Sequence, residues 1–190
     1  CIPDPERTEI QAFWFPGTSQ IGSVSRSKLH GDLELKRFEV SGQGGGEVVL
    51  AQNVSSPSIS PDGKWVASVP VERASDRVGV SFSMRSLGEL EFQKLGENSA
   101  PVRVKFDLPG LSGFPVFSHD GLFIYFSQYL NDTNFDGMID GDDNSVLFRV
   151  PFRSGDANPL KLDRVEQLTS ARWNCQYPAP ARETLLMTCN

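Results

Sequence analysis

The sequence predicts an all-β protein of short antiparallel strands. Three observations lead there: apolar residues alternate with polar ones in several runs, helical periodicity beyond two turns is nearly absent, and one strand–turn–strand pattern occurs twice. Composition agrees. Thirteen phenylalanines stand beside seventeen glycines and thirteen prolines, a mixture that suits strands joined by tight turns.

Taken in order, the clearest alternating runs are Leu33 to Val40, Val78 to Met84 and Val102 to Phe106. Each places its apolar side chains on one face, as a half-buried strand requires. The repeated pattern is Ser56-Pro57-Ser58-Ile59-Ser60-Pro61-Asp62-Gly63-Lys64-Trp65-Val66-Ala67-Ser68 and Phe114-Pro115-Val116-Phe117-Ser118-His119-Asp120-Gly121-Leu122-Phe123-Ile124-Tyr125-Phe126. Each copy reads as a short strand, an Asp-Gly turn with positive φ, and a strongly apolar strand buried on both faces. Asp62 and Asp120 cap the turn backbone in this reading, and His119 is a turn residue.

Ser60-Pro61-Asp62-Gly63-Lys64-Trp65-Val66-Ala67 resembles the repeats of TolB-like β-propellers, also called PD40 or WD40-like repeats. The second copy departs from the pattern at His119, where Pro is usual. Gln167-Leu168-Thr169 resembles the end of a blade's outer strand. The resemblance implies a partial β-propeller of about three and a half four-stranded blades: an N-terminal tether over 1–9, blade one over about 10–53, blade two over 54–110, blade three over 111–169, and a partial blade four over 170–190. The expected strands are 11–16, 33–40 and 47–52; then 56–60, 64–71, 78–86 and 101–107; then 114–118, 122–129, 145–152 and 160–168; and finally 171–176 and 184–189. Trp14, Trp65 and Trp173 fall within expected strands and read as core residues. Propellers carry four to eight blades, so the array is expected to continue in a longer chain or to be completed by another.

The formal charge of −6 and the lack of a basic run argue against a duplex nucleic-acid partner. No stretch approaches 18 consecutive apolar residues, so no transmembrane segment is predicted. Cys175 and Cys189 are 14 apart and form either a disulfide or two buried thiols. Cys1 opens the chain ahead of a polar stretch. That start is similar to a mature bacterial lipoprotein acylated at its first cysteine; the alternative is a simple chain boundary.

Residues 131–144, NDTNFDGMIDGDDN, hold five aspartates and no lysine or arginine. Counted from Asp132, oxygen-bearing side chains fall at positions 1 (Asp132), 3 (Asn134), 5 (Asp136), 9 (Asp140) and 12 (Asp143), with Gly137 at 6 and the Met138 carbonyl at 7. Calcium takes six to eight oxygens, and alternate positions point inward. The predicted metal ligands are therefore Asp132, Asn134, Asp136, Met138, Asp140 and Asp143, with Asp142 as the substitute for Asp143. Ile139 anchors the loop in the core. The segment is similar to dockerin and EF-hand-type calcium loops, yet apolar strands flank it, which implies a structural ion. The opposing reading is a solvated acidic loop.

Catalytic signatures are lacking. His30 and His119 show no metal spacing, no G-x-S-x-G elbow occurs, and Gly42–Gly46 lacks the Lys-Ser/Thr of a phosphate loop, which leaves it a flexible turn. The chain therefore reads as non-enzymatic. The propeller resemblance implies an exported cell-envelope protein that presents a face to other envelope proteins; a lipid anchor at Cys1, a Cys175–Cys189 disulfide and the calcium loop would all suit an extracytoplasmic place in the periplasm or at the outer membrane. It would bind proteins or act as a scaffold. One alternative is the accessory propeller of a larger hydrolase or peptidase; another is a structural subunit of an envelope assembly.

Overall fold

The computed structural model describes residues 6–28, 32–40, 46–75, 82–86, 88–96, 100–156, 159–182 and 184–189. Cys1, His30 and the Gly42–Gly45 stretch lie outside them. The protein is a partial β-propeller of antiparallel sheets, with a 3₁₀ turn at Leu162–Arg164. Among the described residues no helix is long and apolar enough to cross a membrane. The chain divides into two compact units, residues 1–55 with 70–87, and residues 56–69 with 88–190.

The first unit holds a four-stranded meander of β1 (Arg7–Trp14), β2 (Gln20–Ser27), β3 (Leu33–Glu39) and β4 (Glu47–Gln52). Leu35, Val24 and Val54 are among its buried residues. Strand β2 does not appear among the expected strands. Its centre, Gly22-Ser23-Val24-Ser25, is buried throughout, so small residues replace the usual alternation. Gly22 is required there because a Cβ would collide with the Phe13 and Phe15 rings. Lys36 is buried but paired, 2.5 Å from Glu47 and 3.7 Å from Glu34, which offsets the cost of desolvating its charge. Trp14 lies in β1 but is 64 % exposed, which corrects its assignment to the core.

The next sheet runs in the order β5 (Val54–Ile59), β6 (Trp65–Ser75), β8 (Leu90–Lys94) and β9 (Val102–Val104), with β7 (Phe82–Ser86) paired to the far end of β6. The third strand of this sheet is thus β8 and not 78–86. Strand β8 is short, and its buried polar residue Glu91 is paired with Arg103 across to β9.

The second unit also contains the sheet β10 (Leu111–Phe117), β11 (Phe123–Tyr129), β12 (Ser145–Pro151) and β13 (Glu166–Gln167), and the hairpin β14 (Cys175–Pro180) with β15 (Leu185–Cys189). Strand β13 occupies only two residues of the expected 160–168. Its core is aromatic. Phe106 stacks on Phe126 at 4.3 Å, Phe126 lies 5.8 Å from Phe148, and Phe152 meets Phe117 and Trp65 edge-on at 5.0 and 5.7 Å. Such pairs contribute roughly 0.5–1.5 kcal/mol each beyond the area they bury. Trp65 therefore belongs to the core as expected. Trp173 is 58 % exposed, in a turn before β14. A disulfide joins Cys175 to Cys189, directly opposite each other across the hairpin.

The two repeat copies superimpose bond for bond. Ser60 Oγ donates to Asp62 Oδ1 at 2.6 Å and accepts from Trp65 N at 2.9 Å. Ser118 Oγ treats Asp120 and Phe123 N in the same way, at 2.6 and 2.9 Å. Asp62 Oδ1 caps Lys64 N, and Asp120 Oδ1 caps Leu122 N. Gly63 and Gly121 carry φ of +69° and +72°. The aspartates do not have positive φ, so each turn is closed by a left-handed glycine alone.

A third copy is written in the backbone. Ser56, Phe114 and Tyr177 all have positive φ, from 48° to 54°, and each precedes a proline. In β10 and β14 these residues form bulges, between Gly113 and Val116 and between Gln176 and Ala179. The Phe114 and Tyr177 rings then meet at 4.9 Å. The turn of the third hairpin is tighter: Ala181 N donates to the Thr184 carbonyl at 2.8 Å, where Ser60 N and Ser118 N reach the carbonyls of Trp65 and Phe123, and it carries no Ser-x-Asp-Gly letters.

Candidate metal centre

Strands β11 and β12 end on the pair Tyr129 and Ser145, so residues 130–144 form the connection between them. Asn174 Oδ1 accepts from Ser145 N at 3.0 Å, and Ser145 Oγ donates to the Cys175 carbonyl at 2.7 Å. The exit of the loop is thereby tied to the start of β14.

Inside the loop, each predicted side-chain ligand caps a nearby backbone N–H. Asp132 accepts from Phe135 N at 2.7 Å and from Gly137 N at 2.8 Å, linking positions 1 and 6. Asn134 Oδ1 accepts from Asp136 N at 3.0 Å, and Asn134 Nδ2 donates to Asp136 Oδ2 at 3.2 Å. Asp136 Oδ1 accepts from Met138 N, and Asp140 Oδ1 from Asp142 N, both at 2.9 Å. These are successive Asx turns. Phe135 and Gly137 both take positive φ, +64° and +89°, and curl the segment. The Phe135 ring is 89 % exposed, and Ile139 is half-buried.

Asp143 differs from the rest. It is fully buried. Its Oδ1 accepts from Thr133 N at 2.6 Å, Thr133 Oγ1 at 3.0 Å and Asn134 N at 3.3 Å, and its Oδ2 accepts from Asp140 N at 2.9 Å. The N–H groups of Asp140 and Thr133 hold its carboxyl below the usual aspartate value, against the opposing effect of burial. Thr133 did not feature among the expected site residues. Its hydroxyl also accepts from Asn144 N at 2.8 Å, so it joins both ends of the loop.

The structure brings Asp132 to Gly137, Asn134 to Asp136, and Asp143 to Thr133 and Asp140. Among the described residues, no three His, Cys, Asp or Glu side chains converge in an arrangement that would hold a metal. The donor chemistry still fits a hard cation. Positions 1, 3, 5 and 9 are carboxylate or amide oxygens on one curled segment. The Asp143 Oδ1 is filled by three donors, which makes it the least available ligand.

Close by, Tyr129 and Ser127 are buried, and their hydroxyls have no hydrogen-bond partner. Burial, with Tyr177, Asp140 and Asp142 nearby, pushes the Tyr129 phenol up to about 12.

No protein-family model matches the chain, and no curated protein sequence does. Solved structures do. Prolyl oligopeptidase B from Galerina marginata matches 97 % of this chain with a TM-score of 0.58 at 13 % identity, over 26 % of its own length. TolB from Acinetobacter baumannii matches 96 % of this chain with a TM-score of 0.52 at 17 % identity, over 40 % of its own length. These likenesses establish the propeller fold. The chain spans about a quarter of the first protein and two-fifths of the second.

Proposed function

We propose that this chain is part of an extracytoplasmic, protein-binding propeller, and that the 132–143 loop is a structural calcium clip. The single observation that carries the protein-binding reading is the scaffold itself: antiparallel sheets joined by recurring polar turns. A propeller of this kind offers a preformed surface at little entropic cost. The disulfide supports an oxidising compartment. A lipid on Cys1, and envelope proteins as partners, complete the reading.

In the clip, Asp132, Asn134, Asp136 and Asp140 would supply side-chain oxygens and Met138 its carbonyl. Asp143 would act through Oδ2, which takes one N–H, that of Asp140, where Oδ1 takes three donors. Calcium would supply charge neutralisation for five aspartates gathered in one connection. The role is structural, since the loop joins two strands of one sheet.

A second reading has one observation in its favour. The likeness to an oligopeptidase covers nearly the whole chain but a small part of that protein, as an accessory propeller beside a hydrolase domain would. The coding sequence beyond Asn190 separates the two. Further blades alone support the scaffold, and a G-x-S-x-G segment overturns it. Mass spectrometry of the N-terminal peptide from native membranes tests the anchor: a diacylglyceryl adduct on Cys1 is expected, and an unmodified cysteine rejects it.

A further inference from the structure

The dipeptide Asp-Gly occurs four times, at Asp62-Gly63, Asp120-Gly121, Asp136-Gly137 and Asp140-Gly141. In such a pair the aspartate carboxyl carbon lies within reach of the next peptide nitrogen, and glycine has no Cβ to keep that nitrogen away. All four aspartates cap the N–H two residues on, those of Lys64, Leu122, Met138 and Asp142, at 2.9 to 3.1 Å. A cap of this kind folds the carboxyl forward over the peptide that follows.

The four pairs differ in what restrains the two reacting groups. Gly63 N donates to the Ser60 carbonyl at 2.8 Å, Gly121 N to the Ser118 carbonyl at 3.0 Å, and Gly137 N to Asp132 Oδ2 at 2.8 Å. Gly141 is exposed, and among the described residues its N–H has no acceptor. The carboxylates divide in the same way. Asp62 and Asp120 each take a serine hydroxyl at 2.6 Å, and Asp136 takes the Asn134 amide at 3.2 Å. Asp140 takes the Asp142 N–H and no other donor among the described residues. Each of these restraints is made within its own turn, so the contrast belongs to the turns themselves.

We propose that Asp140 is a site of self-modification, converting to isoaspartate through Gly141. The Gly141 nitrogen bonds to the Asp140 Cγ, the carboxyl hydroxyl leaves as water with the nitrogen's proton, and a succinimide ring closes. Water then adds back. Where it breaks the bond between the former main-chain carbonyl and Gly141 N, the chain runs on through Cβ and Cγ, and Cα carries the free carboxylate. The water lost is regained, so no oxidant, reductant or enzyme is needed. At the other three pairs the glycine N–H must first release its acceptor. The product has a main chain longer by a methylene at residue 140, and the Asp142 N–H loses its cap. In the calcium reading of the loop the position-9 ligand goes with it, but the reaction itself does not rest on that reading.

The test ages the folded 190-residue chain at physiological temperature and neutral pH, in EDTA to keep metal off Asp140. Peptide mapping with electron-transfer fragmentation distinguishes the two isomers, which have equal mass. Isoaspartate should accumulate at residue 140 at least about fivefold faster than at 62, 120 or 136, the worth of one net hydrogen bond. In guanidinium, where the turns are undone, the four pairs should react at similar rates. Gly141 has no left-handed φ and nothing within 4 Å of where a Cβ would sit. Gly141→Ala should therefore keep the amide NMR spectrum while its methyl group slows the ring closure at 140. Asp140 that stays intact in the folded chain while converting in guanidinium overturns the proposal. So does equal or faster conversion at any of the other three, a ranking that guanidinium leaves unchanged, or a Gly141→Ala chain that reacts at 140 as fast as the parent.

Discussion

At the scale of single residues, the turn serines do more than their small size suggests. Ser60 and Ser118 are 2 % and 5 % exposed, and each hydroxyl joins an aspartate to the first N–H of the following strand. Removing the hydroxyl leaves a buried N–H unpaired, at a cost of about 1–3 kcal/mol. Ser60→Ala and Ser118→Ala should therefore each lower the melting temperature by several degrees. Calorimetry would check it, and a loss in one copy alone would contradict their equivalence. Asp143 makes a prediction about pH. Its folded pKa is depressed by the Asp140 and Thr133 N–H groups. The stability it contributes is complete above the unfolded value near 4 and is lost as pH falls through the lower folded value. Asp143→Asn should flatten that acid limb in a series of melts. An unchanged slope would mean that the carboxylate is not held in this cradle.

At the scale of elements, legibility tracked side-chain size. Strands β3, β6 and β11 could be read because large apolar residues mark them. Strand β2 could not, since its buried centre is Gly, Ser, Val and Ser. The third turn was hidden for another reason. It is two residues tighter than the Ser-x-Asp-Gly turns, and what its hairpin shares with theirs is a positive-φ residue before proline in the preceding strand, Tyr177, a feature set by geometry and not by residue type. Trp14 and Trp173 were misjudged because a strand assignment says nothing about which face is covered. In the metal loop the spacing was legible, while the Thr133–Asp143 clasp was not, because a position-based template does not register a hydroxyl at position 2. The β14–β15 hairpin carries the element-scale prediction. Its disulfide closes a loop of about fifteen residues, worth roughly 3 kcal/mol in the chain-entropy account. Reduction should speed amide exchange across Cys175–Pro180 and Leu185–Cys189 while leaving β11 protected. Uniform deprotection of the whole second unit would show instead that the hairpin is inseparable from it.

At the scale of the whole molecule, antiparallel sheets repeat, and the proposed calcium clip would pin the connection between β11 and β12. Five aspartates fall in residues 132–143 with no lysine or arginine among them, a density of negative charge that a bound cation would offset. The backbone caps made by Asp132, Asn134, Asp136 and Asp140 already hold the loop in a curled form, so a cation has little ordering left to impose. The most direct measurement is thermal denaturation of the 190-residue chain in millimolar calcium and in EDTA, beside the Asp136→Ala variant. The account predicts that calcium raises the melting temperature of the parent by several degrees, consistent with a ligand that binds the folded state alone, and leaves the variant unmoved. Coincident curves for the parent chain with and without calcium would contradict it.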